Sequence, residues 1–421
     1  MKKIQPILGI LMASMLLTAC GGTGSSNSNG TSNNGTDSNN TNQNNTAQPD
    51  KKLTVDGRLL IINNDQTKPE LSVYDLGKKQ IVQSTFLNAQ PTALYSSPSF
   101  GYGILFDRVK GTVNFYDGGL SQKAGAIAEE KPQLLTYQIL GAAPTHYRHF
   151  DTQAAIFFDG SDTETSKFAV FSDADIAKQI AFSEKLPAKH HGVAEPLGDY
   201  VLSSVLPVGA TKLSLVKSYE VHHDHYHEHQ SLVNECPGLH GASSIQKFSA
   251  FGCEDGVLLV ERQGAKFVDT KLPLSVRIGT VVGHHLAQDL VALSSATSDL
   301  FVIDAQKKTT RQIAWAAQAE TKRLKQAYSA TGQYFVVLDS TGALNIFDAK
   351  TWALKSRSVV LNVDAAQLAL TQLAVHGQRD EVYLSDTQNK TIIHIDLKTG
   401  DVKQRIQLQS VPSKLTWVGA K

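Results

Sequence analysis

The chain has 421 residues, with 40 Lys and Arg against 39 Asp and Glu and a formal charge of +1 when the histidines are neutral. That balance, with no basic run beyond a pair or a loose triplet such as Lys322, Arg323 and Lys325, leaves no electrostatic footprint for a nucleic acid. With 41% hydrophobic residues and 31 glycines, the length admits two or three average domains or one large all-β domain.

Residues 1–19 read as a targeting segment. Lys2 and Lys3 form a basic n-region, and Ile4 to Leu17 an apolar h-region too short to span a bilayer. Leu17-Thr18-Ala19 then puts small residues before Cys20. The pattern resembles a bacterial lipoprotein signal, which implies cleavage before Cys20 and lipidation of its thiol. Gly21 rather than aspartate follows, which favours the outer membrane, with the protein facing the periplasm. Residues 20–52 are built almost wholly from Gly, Ser, Asn, Thr and Gln after the cysteine. Such a segment cannot offset its ordering entropy by burial, so a tether with an r.m.s. reach of roughly 30 Å is expected.

From 53 to 421 short β-rich runs alternate with Gly, Asn and Asp, and one strand ending recurs. Ser72-Val73-Tyr74-Asp75, Asn114-Phe115-Tyr116-Asp117, Phe301-Val302-Ile303-Asp304, Asn345-Ile346-Phe347-Asp348 and His394-Ile395-Asp396 all finish an apolar strand on aspartate. A second marker runs through Tyr95, His149, His191, His240, His285, Tyr328, His376 and Trp417 at separations of 41 to 54 residues. A period of that length with about four strands predicts a single all-β domain, a β-propeller. Eight markers give eight blades, or seven if one faint unit is misread. The C-terminal strand around Trp417 is expected to complete the first blade and remove the open edge.

In a propeller, residues in phase on the innermost strands form a ring around the central channel. His149, His191, His240 and His285 come from consecutive units and are the candidate ring of zinc ligands, with His146, His190 and His284 able to replace or join them. Asp151, Asp255 and Asp289 are candidates for holding the second ring nitrogens. The alternative is that the repeated histidines only fasten neighbouring blades.

Cys236 and Cys253 stand seventeen positions apart. In an exported chain they most economically form a disulfide; the rival is a pair of thiolate ligands. Just before them, residues 222–229 carry His222, His223, Asp224, His225, His227, Glu228 and His229, five histidines and two carboxylates in eight positions. This composition points to metal binding. The tract reads as an inter-blade insertion, a mobile loop that captures metal beside the ring.

The segments Lys189-His190-His191-Gly192-Val193-Ala194-Glu195-Pro196, Cys236-Pro237-Gly238-Leu239-His240-Gly241 and Phe251-Gly252-Cys253-Glu254-Asp255-Gly256 resemble the periplasmic zinc metallochaperone AztD family. The resemblance runs from about Leu53 to Lys421. It implies Zn²⁺ as the bound metal and transfer to the solute-binding protein of a zinc ABC importer. The chain departs from the family in its lipid anchor and in a His-rich tract placed mid-chain rather than near the N-terminus. Enzymatic rivals find little in the sequence. A quinoprotein needs repeated Trp motifs and only Trp315, Trp352 and Trp417 occur, while Gly-x-Ser-x-Gly and HExxH are missing. A metal hydrolase on the ring, or a scaffold like the outer-membrane assembly propeller, are the remaining alternatives.

Overall fold

The computed structural model describes residues 52–64 and 68–421. The targeting segment, Cys20 and most of the tether lie outside them. The described residues form thirty-four strands and two helices of six residues each. None of these helices is long and apolar enough to cross a membrane.

Eight four-stranded antiparallel sheets follow one another as the blades of a propeller. In the first blade Gln80–Phe86, Glu70–Asp75 and Arg58–Asn63 are joined by the C-terminal strand Pro412–Val418, with Leu59 opposite Trp417 and Ile61 opposite Leu415. The ring therefore closes by pairing the two ends of the folded body, as the terminal strand pattern predicts. Trp417 is fully buried there, stacked on His376 at 4.2 Å and donating its indole N–H to the Asp56 carbonyl at 2.9 Å. The second blade carries one extra hairpin, Leu120–Lys123 with Ala126–Glu129, between its third and outer strands.

The recurring aspartate has a local cause. The Asp75, Asp304 and Asp348 carboxylates accept backbone N–H bonds from Lys78, Lys307 and Thr351 respectively, at 2.8 to 2.9 Å. Each closes the turn after a blade's third strand by Asx geometry. Between blades, alternate residues of each strand pack on the neighbour. Phe157 and Phe168 of the third blade meet Tyr219 and Tyr226 of the fourth, and Leu202 of the fourth meets Phe251, Leu258 and Phe267 of the fifth. Each such side chain contributes about 2 to 3 kcal/mol by leaving water.

Because each blade is an up-and-down meander, every inner strand starts at one rim of the disc, here the entry rim, and ends at the other, the exit rim. Third strands also end at the exit rim. This alternation decides which predicted ligands can meet.

Candidate metal centre

At the entry rim three imidazoles converge. His146 belongs to the inner strand Pro144–Phe150 of the third blade, His191 to the loop before the inner strand Ala194–Leu197 of the fourth, and His240 opens the inner strand His240–Ile245 of the fifth. One ligand atom from each lies within 4.8 Å of the others. The ring centroids are 4.7 Å apart for His146 and His191, and 5.4 Å for each of these with His240.

All three rings are already held by Nδ1. His146 Nδ1 donates to the Gly192 carbonyl at 2.7 Å, His240 Nδ1 to the Gly279 carbonyl at 2.7 Å, and His191 Nδ1 to the Asp159 carboxylate at 3.0 Å. Those bonds fix the tautomer and leave the Nε2 lone pairs as the free donors, the arrangement that zinc-binding histidines require. Tetrahedral zinc places nitrogen ligands roughly 3.4 Å apart, a gap that small side-chain rotations reach from here. Three nitrogens leave a fourth position open, and the His191 side chain remains 48% exposed.

The His-Gly pairs supply the backbone for this geometry. Gly241 lies at φ +71°, where the inner strand bulges between His240 and Ala242, and a Cβ there would sit 2.9 Å from the Gly279 carbonyl that holds His240. Gly192 is packed so closely that a Cβ would stand 2.2 Å from the Ser204 hydroxyl, and its carbonyl is the acceptor for His146. The third His-Gly pair works differently. His376 is buried, accepts the Gln378 and Arg379 backbone N–H groups on Nδ1 and stacks on Trp417, so it fastens blades.

At His146 the surroundings favour the neutral imidazole. Burial, with the Arg148 charge next in weight, pushes His146 down to about 3. Burial raises the Asp159 carboxyl, but bonds from His191 and Arg108 outweigh it and hold that group below the usual carboxylate range. On the fourth blade's inner strand, beside Ser244 of the fifth, Glu195 is fully buried, and burial lifts its carboxyl to about 7. Neither of its oxygens has a well-formed hydrogen bond, although the Ser244 hydroxyl and backbone N–H lie close enough to temper the rise.

Of the four histidines expected in phase, the structure brings two into this cluster. His191 and His240 come together, while His149 and His285 do not join them. His149 stands three residues beyond His146, near the exit end of its strand. There burial, with the His285 and Arg148 charges, depresses it to about 4. His284 and His285, 4.4 Å apart, follow the end of the sixth blade's inner strand Ile278–Val282. His149 and His284 line a channel cavity of about 410 Å³ with Tyr95, Tyr147 and Tyr328. Laying histidines in phase by spacing alone slipped between strand starts and strand ends. His190 points away from the cluster, with its two nitrogens against the Ala188 and Ser204 carbonyls at 3.0 and 3.1 Å.

The three predicted carboxylates hold none of these rings. Asp151 occupies the turn after His149, at φ 52°, Asp255 pairs with Lys271, and Asp289 accepts from the Trp352 indole at 2.8 Å. The role falls to Asp159, in the loop after the third blade's second strand. Its signal in the sequence was the turn Phe158-Asp159-Gly160.

The His-rich tract is not an insertion. It forms the end of the fourth blade's third strand, Leu215–His222, and its outer strand, His225–Ser231. Tyr219, Val221 and Tyr226 bury one face of this hairpin, which holds it in strand form. The turn His223-Asp224 lies at the exit rim, three strands out from the channel and roughly 20 Å from the triad, so it does not adjoin the central cluster. Within it Glu220, His222 and His227 bring ligand atoms within 4.8 Å of one another. His223 stands at the tip with φ 53°, His225 pairs with Asp224 at 3.1 Å, Glu228 with Lys217 at 2.8 Å, and His229 bonds the Ala265 carbonyl at 2.7 Å. Cys236 and Cys253 form a disulfide, with Cα atoms 5.0 Å apart, tying the loop that leads to His240 onto the end of the fifth blade's second strand, Phe248–Cys253.

No protein-family model matches the sequence. The resemblance anticipated above is nevertheless found: the chain is 28% identical over 230 residues to the zinc chaperone AztD of Citrobacter koseri, covering 51% of this chain and 51% of that protein. The alignment thus spans about half the length of that relative. The apo structure of Citrobacter koseri AztD superposes with a TM-score of 0.72 at 20% identity, covering 86% of this chain and 98% of the other. The dihydro-heme d1 dehydrogenase NirN matches with a TM-score of 0.55 at 12% identity, over 86% of this chain and 76% of its own. A chaperone and a dehydrogenase thus share this propeller fold, and the entry-rim histidines have to carry the distinction.

Proposed function

We propose that this chain is a zinc metallochaperone rather than an enzyme, and that His146, His191 and His240 hold its cargo. The observation that carries the reading is the set of three Nδ1 bonds, which leave three Nε2 atoms as free donors on rings whose ligand atoms lie within 4.8 Å of one another, with a fourth position open. A structural zinc site is closed by four protein ligands, whereas this one leaves room for a ligand from an acceptor. Half-chain similarity to a protein named a zinc chaperone supports the same reading.

Zinc bound here would exchange the imidazoles one at a time for the acceptor's own donors, so the metal never needs to enter water as a free ion. We take the acceptor to be the solute-binding protein of a zinc ABC importer, and the location to be the periplasmic side of the outer membrane, through lipidated Cys20. The anchor reading is supported by Leu17-Thr18-Ala19-Cys20 and the polar tether after it. Nearby carboxylates fit cargo holding better than hydrolysis. Asp159 is committed to His191 and Arg108, and Glu195 is fully buried.

The test uses the untagged mature chain loaded with zinc and a metal-free solute-binding protein. Transfer that runs faster to the protein than to a small chelator of equal affinity is expected. A chain that holds no zinc more tightly than a surface histidine pair would shift the reading to an interaction scaffold. Zinc-dependent turnover of esters or lactones would shift it to a hydrolase.

A further inference from the structure

We propose a second, independent site for a divalent transition cation on the fourth blade's outer hairpin at the exit rim, with Glu220, His222 and His227 as ligands. It does not rest on the central triad. Glu220 and His222 are two apart on one strand and share a face, and Glu220 stands directly opposite His227 on the next strand. His222 and His227 are diagonal neighbours with ring centroids 4.5 Å apart. The three ligand atoms lie within 4.8 Å of one another.

The backbone under them is a paired hairpin anchored by the buried Tyr219 and Tyr226 and the partly buried Val221, so the ligands come from a strand surface and not from a floppy tract. The carboxylate is oriented as well: the Tyr200 hydroxyl donates to Glu220 Oε1 at 2.9 Å, and His229 Nδ1 faces Oε2 at 3.6 Å. Two imidazoles and one carboxylate suit zinc, nickel or cobalt. The site opens at the rim opposite the triad, so a protein covering the entry rim would leave it uncovered.

The decisive experiment is equilibrium dialysis of the untagged chain against Zn²⁺, read by elemental analysis. A His146→Ala/His240→Ala background silences the central site, and thermal unfolding checks that each variant folds. The background is expected to retain one zinc. Adding Glu220→Gln with His222→Ala and His227→Ala should weaken that zinc at least tenfold, whereas adding His223→Ala with His225→Ala should leave it within twofold. No zinc in the background overturns the site. Equal loss from the His223 and His225 changes also overturns it, because the binding would then belong to histidine richness and not to this triad. If the wild type and the background bind the same single zinc, the hairpin site stands and the central one falls.

Discussion

The two histidine groups contrast in how they are made. The hairpin group is local: its ligands fall within eight consecutive residues, from Glu220 to His227, on two strands of one blade. The entry-rim group draws one histidine from each of three blades and fixes every ring by a bond to a neighbouring segment, at 2.7 to 3.0 Å. Rings held in advance lose little freedom when a metal arrives, so the dispersed group is the better preorganised and the local one the more easily noticed. Conspicuousness in sequence and quality as a site run in opposite directions here.

The largest effect should come from the dispersed group. His146→Ala or His240→Ala is expected to lower zinc affinity roughly a hundredfold or more, since either leaves only two nitrogens. Asp159→Asn, which keeps the shape but removes the charge behind His191, should cost about tenfold, the lower end of what loss of such a partner does. Chelator competition reads both. The contrast breaks if Asp159→Asn changes nothing, because the preset rings would then not matter.

How much of this was legible follows from which residues are neighbours in sequence. The propeller could be read because the third strand ends on aspartate in five of the eight blades, where Asp75, Asp304 and Asp348 close the turn and mark the period directly. The ligand ring could be read only in part. His240 opens an inner strand at a bulge, His191 precedes one, and His146 sits just after the bulge in its own strand, so the three do not share a repeat position. Asp159 is 32 residues from the histidine it holds, and nothing in spacing alone connects them. In the His-rich tract the alternation of Tyr219 and Val221 with Glu220 and His222 did carry the strand, but the histidine count drew attention to a loop.

A smaller effect separates the groups by pH. Glu195, four residues after His191, is fully buried, and burial raises its carboxyl from 4.5 to about 7, whereas Glu184, which burial also raises beside the hairpin's His225, is only partly buried. In the metal-free protein the folded state keeps the proton that the unfolded chain gives up near 4.5. Stability is therefore lost as pH rises from about 4.5 through about 7, by on the order of 3 kcal/mol. Glu195→Gln cannot ionise, so its melting temperature relative to wild type should be higher at pH 8 than at pH 5. A difference that stays constant between those pH values would show that Glu195 ionises freely in the fold.

The smallest effect is the one that tests the geometry most directly. His149→Ala and His285→Ala should each leave tight zinc affinity within about twofold. His149 is three residues from His146, which along a strand is roughly 10 Å, and an odd separation turns the side chain to the other face. Arg148 lies between them in sequence, and its positive charge depresses both His146 and His149. A divalent cation at the entry rim would meet that same charge on any path toward His149. If His149→Ala nevertheless weakened zinc as much as His240→Ala, the ligands would be the in-phase ring that spacing suggests, and the entry-rim triad would be only a blade fastening.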